Sequence, residues 1–365
     1  MTFCDLALDC VTKLHPYVPG KPIEELQREY GINDIVKLAS NENPLGPSPS
    51  VLKAVREASQ ELTRYPDGNG FSLKAALAEK YQLDVNQITL GNGSNDVLEM
   101  IARAFVSSAD EVMFSQYAFA VYPLVTQAIG AQAVVAQAKD YGHDLELMLS
   151  LISNKTKLVF IANPNNPTGT YIPAEKLESF VSQVPQQTLV VVDEAYVEYG
   201  EQTENTVEWL AKYPNVIITR TFSKAYGLAG LRVGYALSHS EIADLLNRIR
   251  QPFNVNSLSL AAATVAVNDD EYLIQTKQIN DEGMAQLLSG FEAMELTSIP
   301  SKGNFITVDV EISGDDVFEA LLRKGVIVRP VTNYGLPQHI RVSIGLADEN
   351  QRFLSALSDV LGRSL

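Results

Sequence analysis

Short, uninterrupted apolar runs punctuate the middle of this chain: Ile88 to Leu90, Glu111 to Phe114, Lys157 to Ala162, Leu189 to Val192 and Val216 to Thr219. Runs of this length, rich in valine and isoleucine, predict strands buried on both faces. Between them the apolar positions space themselves as on a helix, as in Val97, Leu98, Ile101, Ala102 and Phe105, and again in the VEWLAKY stretch before Pro214. Strand and helix alternating in this way predict an α/β fold, a mostly parallel sheet sandwiched by helices. After about residue 257 the pattern changes to a helical tract from Ser259 to Leu287 and then to runs such as FITVDV and IRVSIG, which predicts a smaller α+β unit. The first forty residues are dense in turn formers (HPYVPGKP) and predict an arm or an appendage of that smaller unit. The expected organisation is therefore residues 1–40 as arm and part of the small domain, 41–257 as a large domain, and 258–365 as a small C-terminal domain.

Length agrees with two domains, since 365 residues exceed what one hydrophobic core usually serves. A hydrophobic share of 46% against 20% charged excludes a disordered or fibrous chain. The formal net charge of −16, without a basic cluster to interrupt it, would repel a phosphate backbone and argues against a nucleic-acid partner. The opening MTFCDLALDC lacks the positive start of a signal peptide, and no apolar run approaches about 18 residues, so a cytoplasmic protein without a membrane anchor is expected. Cys4 and Cys10 are too few and wrongly spaced for a disulfide framework or a zinc site, and are read as bystanders. His15, His143, His239 and His339 form no HExxH spacing, and no G-x-S-x-G occurs, so neither a metal site nor a serine hydrolase is expected. Lysine, arginine and acid chemistry remain.

Ligands of open parallel sheets bind beyond the carboxyl ends of the strands, which makes the residues after each apolar run the place to search. Leu90 is followed by GNGSND and a helix, a glycine-bearing turn whose amides suit a phosphate, although an ordinary strand-to-helix turn reads the same way. After Ala162 comes NPNNPTG, where Asn166 precedes a proline and is biased to an extended backbone that can project its side chain into a cleft. Val192 is followed by Asp193 and Glu194; an acid ending a buried strand is costly without a positive partner, and alternation assigns the cleft to Asp193. After Thr219 comes RTFSKAYGLAGLRVGYAL, with Lys224 between Thr221, Ser223 and Tyr226, and Arg232 eight residues on. Roughly thirty residues separate Asp193 from Lys224, room for one crossover and a return strand, so adjacent strand ends can bring them into one cleft.

Taken in order, HPYVPGKP, LASNENPLGP, RYPDGNG, TLGNGSND, NPNNPTG, VVDEAYVEY, TFSKAYGLAGLRVGY and HIRVSIG resemble the fold-type I pyridoxal-phosphate aminotransferases over nearly the whole chain, and most closely their histidinol-phosphate branch. The resemblance implies that Lys224 holds the cofactor aldehyde and, once exchanged, shuttles the proton at substrate Cα. It implies further that Asp193 pairs with the pyridine nitrogen and that Tyr196 and Asn166 hydrogen-bond the phenolic oxygen. The cofactor phosphate would rest on the backbone of Ser94 and Asn95, on Thr221, Ser223 and Arg232, and on Tyr65 from a second subunit, which implies a homodimer. Phe119 takes the place of the aromatic ring that stacks on the cofactor, a position often held by tyrosine.

For the substrates, Arg341 matches the arginine that receives both the glutamate carboxylate and the histidinol-phosphate phosphate, with Arg329 and Tyr17 as further phosphate contacts and Asn43 close by. The expected reaction is amino transfer between glutamate and imidazole acetol phosphate in histidine biosynthesis. Aromatic amino-acid transamination and decarboxylation of a phosphorylated amino acid are the alternatives on the same scaffold. A non-catalytic sensor module would carry a DNA-binding segment, and an ATPase would need the P-loop lysine that GNGSND lacks.

Overall fold

The computed structural model describes residues 3–17, 19–200 and 205–365. Its strands, in chain order, are β1 (Val36–Lys37), β2 (Ile88–Gly91), β3 (Glu111–Ser115), β4 (Gln132–Ala136), β5 (Thr156–Ala162), β6 (Leu189–Asp193), β7 (Val216–Thr221) and β8 (Gly234–Ser238), then β9 (Ser298–Ile299), β10 (Phe305–Asp309), β11 (Val326–Ile327), β12 (Arg329–Pro330) and β13 (His339–Ser343). A seven-stranded sheet runs β2-β8-β7-β6-β5-β3-β4, with β8 antiparallel to both neighbours and the remaining contacts parallel. Both faces are buried, as the unalternating runs predict: Val190, Val192 and Ile218 join one apolar cluster, while Val191 and Ile217 join the cluster on the other side.

A second, antiparallel sheet runs β12-β13-β10-β9, so FITVDV and IRVSIG lie side by side, Thr307 opposite Arg341. Its own core gathers Ile306, Val308, Ile340 and Val342 with Leu287, Phe291, Phe353 and Leu357. From the first forty residues, β1 pairs in parallel with β11, and Leu26 and Ala39 pack on Leu322 and Ile327. No helix among the described residues is long and apolar enough to cross a membrane.

Two helical expectations are corrected. VEWLAKY forms no α-helix: residues Thr206–Ala211 wind as a 3-10 helix, in which side chains three apart eclipse, and Val207 and Leu210 are both buried. The tract from Ser259 to Leu287 is two helices, Ser257–Ala266 and Asp270–Ala293, because Asp269 interrupts it as an N-cap whose carboxylate accepts from the Tyr272 amide and from the Ser48 and Ser50 hydroxyls.

Candidate active site

Beyond the carboxyl ends of β5, β6 and β7 lies a cavity of about 390 Å³ whose wall includes Asp193, Tyr196, Lys224, Arg232, Arg329 and Arg341. A larger hollow of about 820 Å³, around Lys74, Arg248 and Arg250, is walled by other elements and holds none of these groups.

Adjacent strands deliver the central pair. Asp193 ends β6, and Lys224 follows its neighbour β7. Of the two acids, Glu194 has the protein cation, bound by Arg220 at 2.7 and 2.8 Å, with both side chains buried. Asp193 faces the other way and accepts from the hydroxyls of Tyr122 at 2.7 Å and Thr219 at 3.0 Å, with no cationic partner among the described residues. Burial therefore dominates and pushes its carboxyl up to about 6, against the opposing pull of those two donors. Arg220→Met strands Glu194 as an unpaired buried charge and is expected to cost about 3–5 kcal/mol. Denaturant unfolding checks this, and an unshifted midpoint would contradict it.

The Lys224 ammonium donates to the Ser40 carbonyl at 2.9 Å and lies 5.8 Å from the centre of the Tyr196 ring. Burial, reinforced by Arg341 and Arg232 and opposed by Glu42, brings its proton affinity down to about 7. Tyr196 is buried, which pushes its phenol up to about 12; its oxygen accepts from the Asn41 amide at 2.9 Å and the Asn166 amide at 3.1 Å.

One end of the cavity is an anion cradle. The helix Ser94–Phe105 begins with Gly93 as N-cap and no side-chain cap, so its first amides are free for a ligand, and Ser94 and Asn95 line the wall. Arg232 bonds Ser223 Oγ at 3.2 Å and the Ala229 carbonyl at 3.0 Å, while Thr221 Oγ1 accepts from the Ser223 amide at 3.1 Å. Two glycines keep these parts close. A Cβ on Gly93, at φ 84°, would stand 2.5 Å from the Arg232 guanidinium, and one on Gly234 would stand 2.4 Å from the Ser94 amide nitrogen.

At the other end, β12 and β13 set Arg329 directly opposite Arg341. Like charges directly opposite in an antiparallel pair repel, and both are buried, so this arrangement is suited to an anion. Arg341 donates to the Ala39 carbonyl at 2.8 Å and to Asn166 Oδ1, lies over Phe305 at 5.4 Å, and leaves its Nε without a hydrogen-bond partner among the described residues. Its guanidinium meets no carboxylate among the described residues, and burial lowers its proton affinity. The Arg329 guanidinium lies 5.4 Å from the ring centre of Tyr17, which also lines the cavity, as does Phe119.

Two of the expected residues stand elsewhere. Asn43 is not on the cavity wall: its amide is taken by the Ala225 carbonyl at 2.8 Å and by the Tyr272 and Thr276 hydroxyls at 3.1 Å, and Asn41 lines the cavity instead. Tyr65 is 83% exposed and stacks on Phe253 at 4.7 Å, outside the cavity of its own chain. Sequence reasoning missed Asn41, Tyr122, Thr219 and Tyr334; a buried acid's need for donors was the signal for Tyr122 and Thr219. Cys4 and Cys10 are free thiols away from the cavity wall.

Comparison with known proteins gives this geometry a family. The family model of aminotransferase class I and II matches residues 33–357. The chain is 60% identical over 365 residues to histidinol-phosphate aminotransferase 2 of Pseudomonas fluorescens, with 99% of each covered, and 59% identical over 363 residues to that of Pseudomonas aeruginosa, with 98% of each covered. Its structure superposes with a TM-score of 0.89 on the histidinol-phosphate aminotransferase of Sinorhizobium meliloti, solved in complex with pyridoxal-5'-phosphate, at 31% identity and 97% coverage of both chains. The chain belongs to the class I and II aminotransferases, and within them to the histidinol-phosphate aminotransferase family.

Proposed function

We propose that this protein transfers the amino group between glutamate and imidazole acetol phosphate, using pyridoxal phosphate held on Lys224. The observation that carries the reading is a single cavity with an amine of lowered proton affinity and an acid of raised proton affinity between two separate anion sites. When bound, the cofactor supplies an aldehyde for amine exchange and a ring that accepts electrons from the substrate carbon.

The residues fit that group. Asp193, buried and without a cationic partner among the described residues, suits a protonated ring nitrogen, whose charge would restore its ionised form. Tyr196 and Asn166 are placed for the phenolic oxygen, Phe119 for the ring face, and Ser94, Asn95, Thr221, Ser223 and Arg232 for the phosphate. Lys224, with a proton affinity of about 7, gives a neutral amine for attachment and, once released, can take the proton from substrate Cα and return it. Arg341 binds the glutamate carboxylate and, with Arg329 and Tyr17, the phosphate of the second substrate, both by guanidinium hydrogen bonding.

Tyr65, turned away from its own cavity, is assigned to the phosphate cradle of a second copy, which makes the active unit a homodimer. Residues 41–257 form the large domain and 258–365 the small one, joined by 1–40, and the enzyme works in the cytoplasm. The test is a half-reaction: glutamate should abolish the visible absorbance of the bound cofactor and imidazole acetol phosphate should restore it. Release of carbon dioxide, or recovery with aromatic keto acids alone, would sink the proposal.

A further inference from the structure

A carboxylate at the end of a fully buried strand drifts toward its neutral form unless donors hold it ionised. Asp193 is 4% exposed and takes two side-chain donors, Tyr122 on Oδ2 and Thr219 on Oδ1, with the Ala195 amide as a weaker backbone donor. Thr219 is its register partner on β7, so that donor comes with the sheet. Tyr122 is different. It sits in the first turn of the helix Val121–Ile129, its ring stacked flat on Phe160 of β5 at 4.5 Å and 2°, and met edge-on by Phe119 at 5.9 Å. Only 1% of the side chain is exposed. Two aromatic neighbours thus fix the phenol before any ligand arrives, leaving the hydroxyl little freedom except to point at Asp193. Burial and the Asp193 charge hold the phenol well above its ordinary proton affinity, so it remains a donor at any working pH.

We propose that Tyr122 is a positioning residue of the amino transfer: pinned between Phe119 and Phe160, it donates to Asp193 so that the carboxylate is ionised and aimed when the cofactor nitrogen meets it. This rests on the pyridoxal-phosphate reading above and adds a residue which that reading does not use. It also couples two contacts. Phe119, assigned to the cofactor ring face, abuts Tyr122, so one short stretch sets both the stacking ring and the acid's donor. The titratable groups around Asp193 are Tyr122 from the overlying helix, Glu194 and Tyr196 from its own segment, and Lys224 from the loop after β7. Glu194 is paired with Arg220, and of the donors that favour the ionised form Tyr122 is the one whose side chain comes from outside the sheet, ahead of the weaker Ala195 amide.

Tyr122→Phe keeps the stacked ring and removes one oxygen. Cofactor affinity of the apoprotein, read by absorbance titration, should fall roughly ten- to a hundredfold, the range expected for losing a hydrogen bond to a charged group. The acid limb of kcat with glutamate should move to higher pH, because an Asp193 that has lost a donor is neutral over a wider range, while KM for glutamate stays within about twofold, since Tyr122 does not touch the substrate arginines. In an Asp193→Asn background the same substitution should change cofactor affinity little. Wild-type affinity and an unmoved acid limb in Tyr122→Phe, or an equal loss in the Asp193→Asn background, would overturn the proposal alone. Failure of the wild-type apoprotein to take up the cofactor in the same titration would overturn the cofactor reading and this proposal with it.

Discussion

Replacing Lys224 with alanine is expected to lower amino transfer by roughly four orders of magnitude, the upper range for loss of a positioned general acid–base, and to abolish the visible band of the bound cofactor. The fold should survive. The side chain makes one hydrogen bond to a carbonyl, and its removal also removes a group that is expensive to bury charged. The pH dependence of cofactor attachment checks the cause. The attacking amine must be neutral, and its affinity is depressed to about 7, so the rate should rise as pH increases through that region and level off above about 8. A lysine of ordinary affinity would keep the rate climbing toward about 10. Measuring attachment rates to the apoprotein across this range decides between them.

Arg341→Met should reduce kcat/KM for glutamate roughly a hundred- to a thousandfold, the scale of a lost buried charge pair, and should impair both substrates because both anions use the same guanidinium. Without ligand the variant should be at least as stable as wild type. Arg341 is a buried cation opposite Arg329 with no carboxylate among the described residues to offset its desolvation, so deleting it relieves repulsion; the acceptors it leaves, Asn166 and the Ala39 carbonyl, line the cavity wall. The contrast with Arg220→Met is diagnostic: two equally buried arginines, one paired with a carboxylate and costly to lose, the other without a carboxylate partner among the described residues and proposed to serve a ligand. Apoprotein unfolding in denaturant and steady-state kinetics with each substrate test both halves. A marked loss of apoprotein stability in Arg341→Met would show that the arginine is structural.

How far the sequence carried these inferences depended on burial. Five strands of the large sheet were legible because both of their faces are covered, so apolar runs mark them without ambiguity. The other two were not. β4 lies at the sheet edge with Gln132, Ala133 and Val135 exposed, and β8, GYALS, opens on the glycine that must sit against Ser94. Lys224, Asp193, Asn166 and the Ser94 turn were legible because each follows a buried strand. Asn41 lines the cavity whereas Asn43 does not, and two asparagines so close in one irregular segment carry no sequence sign of which one faces inward. For Tyr122 and Thr219 the buried acid signalled that donors were needed but not which residues: they lie 71 and 26 residues from it, and only the packed fold brings them to it.

Because β8 turns back antiparallel beside β7, Lys224 and Arg232 ride on one hairpin loop, and Gly234 seats that loop against the helix that begins at Ser94. Arg329 and Arg341 belong instead to the other sheet. On the proposed assignment, anchor and selector are therefore separate heritable parts. Changes in β12 and β13 can redirect which anion is accepted while the anchor stays intact, a division that lets substrate preference drift across descendants of one scaffold without each having to reinvent its hold on the cofactor.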